Sequence, residues 1–77
     1  MDSKAVFKLG TFIRNFVTTN PKFQSKAYTL GVDLQTDPVY VLQYLEKELP
    51  HEELEEIIQV ARKSPVRDFV DTYFNKK

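Results

Sequence analysis

Four prolines cut this chain into lengths that no long helix can cross. Three follow a short polar residue, as Asn20-Pro21, Asp37-Pro38 and Ser64-Pro65, and the fourth is Leu49-Pro50. Proline holds φ near −65° and lacks an N–H, so it suits the first turn of a helix and disrupts its interior. Asn, Asp and Ser are also the side chains that best accept hydrogen bonds from the free N–H groups of a helix start. Each dipeptide therefore reads as a corner where a helix begins, with Thr36 as an alternative cap to Asp37. Asp2 or Ser3 gives an earlier start, and Gly31 gives a stop.

Between these corners the apolar residues recur at three and four. Val6, Leu9, Ile13, Phe16 and Val17 form the stripe of a first helix from about Ser3 to Val17, and Ala5 and Phe12 widen it. So broad an arc predicts a central helix that touches more than one neighbour. Gly10 costs a helix interior up to about 1 kcal/mol against Ala, which points to a close helix crossing. Phe23, Ala27 and Leu30 line a second helix with Tyr28 beside them, and Val32 and Leu34 plug the core from the loop that follows. A third helix buries Val41, Leu42, Leu45 and Leu49. A fourth, from about His51 to Lys63, buries Leu54, Ile57, Ile58 and Ala61. Val66, Phe69, Val70, Tyr73 and Phe74 make the strip of a fifth. The expected fold is all-α: a small compact bundle of about five short helices, forming one domain over residues 1–77. None is long enough to be stable without packing its strip.

Length and composition agree. A chain of 77 residues and 9.0 kDa hides roughly 60% of its extended surface on folding, so the core is real but thin. With 42% hydrophobic residues it is too apolar to be disordered. There is no cysteine, which removes disulfides and thiolate chemistry and fits a reducing compartment. Lys8, Gly10, Thr11 and Arg14 break up the early apolar residues, so no signal-type or membrane-spanning run forms. The chain reads as a whole small gene product of phage or small-genome type, cytoplasmic or otherwise intracellular, with no integral membrane association.

The net charge is zero but unevenly laid out. Residues 1–31 carry +4, residues 32–56 carry −7 and residues 57–77 carry +3. Either the acidic middle and basic ends meet each other, or an acidic face is offered to a basic partner. Self-association is a further reading, because complementary patches and a thin core both favour a homo-oligomer.

Chemistry is scarce. The single histidine, His51, precedes Glu52 and Glu53 but lacks the second histidine of a zinc-protease helix. Glu52, Glu55 and Glu56 can share one helix side, yet no calcium-loop spacing is present, and they read as a solvated face. Gly10 and Gly31 begin no phosphate-binding run. No catalytic residue, metal site or cofactor is expected, and the chain reads as non-enzymatic.

The leading expectation is a protein-interaction or regulatory module. Tyr40 and Tyr44, one turn apart, form a ledge beside the buried stripe, with Glu48 a turn further. Together with Glu52, Glu55 and Glu56 they make an aromatic and acidic helical face for a protein partner of unknown identity. Tyrosine suits such a face because it buries area while keeping a wet edge. The alternative is nucleic-acid binding through a basic surface of residues 4–26, using Lys4, Lys8, Arg14, Lys22 and Lys26. Ala27, Gly31 and the capped helix after them give that alternative a loose helix-turn-helix look, although the turn is long for the tight form. The apolar first helix, flanked by Lys4, Lys8 and Arg14, also allows contact with a membrane surface. Phe69, Tyr73 and Phe74 read as core, or as a contact surface if the last helix docks loosely. Five-helix interaction modules such as the sterile-alpha-motif domain resemble the chain in size and helix count alone, and no residue carries over from them.

Overall fold

Each proline corner turns the chain where a side chain or a carbonyl can take the next helix. The computed structural model describes residues 2–74, and among them five helices follow in order: α1 (Ser3–Thr19), α2 (Pro21–Leu30), α3 (Pro38–Glu48), α4 (His51–Arg62) and α5 (Arg67–Phe74), with no strand. Asp2 rather than Ser3 caps α1, accepting from the Lys4 N–H at 3.1 Å. Asn20 Oδ1 accepts from the N–H groups of Lys22 and Phe23 at 3.1 and 3.4 Å. Asp37 rather than Thr36 caps α3, accepting from Val39 at 2.7 Å. α2 ends at Gly31, whose φ of 79° is one that glycine adopts without strain. There the N–H groups of Gly31 and Val32 fold back onto the carbonyls of Tyr28 and Ala27, closing the helix end as a Schellman turn.

Two boundaries differ from the sequence reading by about two residues. α1 continues to Thr19, two residues past Val17, because Asn20 and not Thr18 leaves the helical conformation. α5 starts at Arg67 and not directly after Ser64-Pro65. Pro65 and Val66 form a turn in which Ser64 Oγ accepts from the Val66 N–H at 3.2 Å and donates to the Ala61 carbonyl at 2.6 Å. Ser64 therefore ties the end of α4 to the approach of α5.

α1 is the central helix and packs against the other four, and α4 also packs on α5. Leu9, Ile13 and Val17 of α1 meet Phe23 and Ala27 of α2, Val41, Leu42 and Leu45 of α3, Ile57, Ile58 and Ala61 of α4, and Val70 and Tyr73 of α5. Each fully buried Leu or Ile contributes about 1.5–3 kcal/mol relative to exposure. Val32 is buried and Leu34 packs beside it, closing the core from the α2–α3 loop as expected. Gly10 makes a close crossing: a methyl group there would lie 2.6 Å from the Pro38 carbonyl oxygen. Only a residue without Cβ lets α1 and the start of α3 touch backbone to backbone.

No charged residue is buried among the described residues. The radius of gyration, 11.3 Å, is near the roughly 11.5 Å expected of a compact domain of this length. None of the helices is long and apolar enough to cross a membrane.

Candidate functional site

Tyr40 and Tyr44 lie one turn apart on the outer side of α3, because Val41, Leu42 and Leu45 take the inner side. Their ring centroids are 5.7 Å apart and the planes are tilted by 51°, a favourable aromatic arrangement. The two rings are not equivalent. Tyr40 is 46% exposed, whereas Tyr44 is half-buried, packs against the core and donates its hydroxyl to the Leu30 carbonyl at 3.3 Å. Tyr44 thus anchors α3 to the end of α2 and serves as the back wall on which Tyr40 leans. Gln43 and Lys47 complete a shallow cleft of about 320 Å³ with them, and Glu48 is exposed at the end of the helix.

The glutamates of α4 lead elsewhere. Glu56 pairs with Lys22 at 2.8 Å and Glu53 pairs with Lys26 at 3.2 Å, so this side of α4 is turned to α2. The hydrogen bond to Glu56 raises the Lys22 pKa. Glu55 is half-buried and accepts from Gln59 at 3.3 Å, while Glu52 is exposed. Of the six residues expected to share one face, Tyr40 and Tyr44 are in contact, and Glu56 is engaged with a lysine of another helix.

Those pairs also reshape the basic surface of residues 4–26. Lys22 and Lys26 each hold a glutamate, and Arg14 Nη1 donates to the Thr36 carbonyl at 3.4 Å. Lys4 and Lys8 are exposed on the first half of α1. The connection between α2 and α3 runs through residues 31–37, and Ala27 is buried. The terminal lysines counted in the C-terminal charge, Lys76 and Lys77, lie outside the described residues.

His51 is exposed at the first position of α4. Among the described residues no group of three or more His, Cys, Asp or Glu side chains is placed to hold a metal ion. Tyr73, the buried aromatic of α5, donates to Glu46 Oε1 at 3.0 Å across to α3. Burial first, and then this hydrogen bond, push its hydroxyl up to about 12.

Helix periodicity did not reveal a larger depression, of about 450 Å³, between α1 and the approach to α5. Phe7, Lys8, Thr11 and Phe12 form one wall, and Pro65, Val66 and Phe69 the other. The available signal was Phe7, a large apolar residue off the main stripe of α1, which is 49% exposed.

No family model matches the chain, and no match was found among curated protein sequences or solved structures.

Proposed function

We propose that this chain is a non-enzymatic interaction or regulatory module that binds a protein partner inside the cell through the outer face of α3. Tyr40 is the contact residue, Tyr44 its support, and Glu48 the charged edge. The observation that carries the reading is the pairing of a half-exposed Tyr40 with a Tyr44 fixed by the Leu30 carbonyl. A rigid aromatic loses little conformational freedom on binding and presents both area and a hydroxyl, as interface hot spots do. The α4 acids support this face less than expected, since Glu56 is paired and Glu55 is half-buried.

The nucleic-acid reading draws less support. Three of its five cations already have partners within the chain, and the intervening carboxylates would repel phosphate.

The test is a photo-crosslinking residue at position 40, with the same residue at the exposed position Lys63 as a control, in cells that express the protein. A discrete protein adduct is expected at position 40 and not at 63. Tyr44→Phe should weaken it while leaving helix content unchanged. Equal adducts at both positions, or none at 40, would overturn the assignment, and tight salt-sensitive binding to mixed DNA or RNA would replace it.

A further inference from the structure

We propose that the groove between α1 and the approach to α5 receives bulky apolar side chains from an acidic amphipathic helix of a protein partner. This surface is separate from the Tyr40 face and does not depend on it.

The walls decide the apolar part. Phe7, Phe12 and Phe69, with Pro65 and Val66, surround a depression of about 450 Å³, within the range of pockets that hold ligand side chains or small molecules. Phe12, Val66 and Phe69 pack on the core from behind. Their placement is therefore set by the fold, and the groove exists before anything enters it. Phe7 is half-exposed and stands as the outer wall. A concentration of aromatic surface on so small a domain is the kind of patch that marks a contact site.

The rim decides the charge. Lys8 lines the groove and Lys4 lies one helical turn before it, where residues four apart share a side. No carboxylate lines it. Every other cation of the first thirty residues is engaged: Arg14 with the Thr36 carbonyl, Lys22 with Glu56 and Lys26 with Glu53. Lys4 and Lys8 take part in none of the ion pairs of the described residues. A carboxylate about one turn from the apolar anchor of an incoming helix would meet them. Thr11 belongs to the same wall as Phe7, and its Oγ1 is buried with no hydrogen-bond partner among the described residues.

Shape favours a helix over a lipid surface. A helix lying on a bilayer presents a convex apolar face, whereas here Phe7 is one side of a trough. Side chains projecting at three and four from a partner helix fill a trough, as in other helix-in-groove contacts.

The probe is a synthetic amphipathic helical peptide with leucine and phenylalanine on one face and glutamates flanking them, titrated into the full ¹⁵N-labelled chain. A second peptide replaces those glutamates by lysine. The expected result is saturable shifts confined to amides 4–12 and 65–69, with the lysine peptide weaker by about three- to tenfold, the size of two exposed ion pairs. Phe7→Ser should abolish the shifts while helix content is kept and the melting temperature moves by no more than about 4 °C. Lys8→Glu should narrow or invert the preference between the peptides. No shift at millimolar peptide, shifts centred on Tyr40, or equal affinity for both peptides would overturn the proposal. So would binding to phosphatidylserine vesicles without peptide binding, or self-association mapping to residues 4–12, which would make a bilayer or a second copy of the chain the occupant.

Discussion

α1 makes two very different contacts, one with α3 and one with the approach to α5. Towards α3 it offers Gly10, and the two backbones come so close that a single methyl group would lie 2.6 Å from a carbonyl oxygen. Towards α5 it offers Phe7 and Phe12, which face Val66 and Phe69 across an open trough. Side-chain size at the crossing sets the approach of two helices. Where the residue is smallest the two backbones come together, and where aromatic residues line the two walls a depression remains between them. The first contact leaves no room for a side chain, and the second leaves an open trough.

The hardest blow falls on the tight side. Gly10→Ala gains up to about 1 kcal/mol of helix propensity, but its methyl meets Pro38 backbone, which cannot swing aside as a side chain can. Overpacking of this sort usually costs about 1–3 kcal/mol, and with backbone on the far side a net loss of about 2 kcal/mol is expected. For a domain of this size the melting temperature should fall by roughly 10 °C. An equal or higher melting temperature would mean that the two backbones are not in contact.

On the open side α5 is held chiefly by Val70 and Tyr73, and Tyr73 also reaches α3 through Glu46. Tyr73→Phe removes the donor from a half-buried carboxylate and should cost about 1 kcal/mol. The hydroxyl is pushed up to about 12 in the folded chain, against about 10 when unfolded. Its contribution is therefore fully present below pH 10 and is lost as pH rises from 10 towards 12, because the unfolded chain releases the proton first. Urea melts from pH 8 to 11.5 should show the gap between wild type and Tyr73→Phe narrowing above pH 10. A gap that stays constant would dissociate the hydroxyl from Glu46.

Ser64→Ala probes how α5 is delivered to that side. Losing both hydrogen bonds of Ser64 Oγ should cost about 1 kcal/mol and speed amide exchange in α5 more than in α2. Uniform acceleration would show that Ser64 acts on the whole fold and not on the turn.

The tight side was legible in the sequence and the open side was not, for a physical reason. Caps and stops act within four residues, so Asn20-Pro21, Asp37-Pro38 and Gly31 announce their own turns. The inward stripe of α1 and the puzzle of a glycine inside it foretell a central helix with a close crossing. Which helix lies beside which is not local. The pairing of Lys22 and Lys26 with Glu56 and Glu53 depends on α2 and α4 coming together, and no spacing along the chain encodes that. The same holds for Tyr44, whose apparent role as an exposed partner of Tyr40 changes once the end of α2 arrives with the Leu30 carbonyl. The trough requires Phe7 and Phe69 to meet from opposite ends of the chain. Ser64-Pro65 fixes where a helix is prepared, but Pro65 and Val66 are taken up by the turn and α5 begins at Arg67.

The smallest expected effect is the sharpest discriminator between the two sides. Phe7 is 49% exposed and lies outside the core cluster, so Phe7→Ser should change stability by no more than about 0.5 kcal/mol, as surface substitutions do. Serine and phenylalanine are about equal as helix formers, so propensity adds little. What changes is the outer wall of the trough. Chemical denaturation of Phe7→Ser beside Gly10→Ala measures the asymmetry directly: one residue is large and removable, the other has almost no side chain and tolerates no addition. A loss above about 1.5 kcal/mol for Phe7→Ser would place this ring among the groups that hold the fold together, as large-to-small changes in a core do. The trough would then be a packing fault and not a surface kept open for a partner.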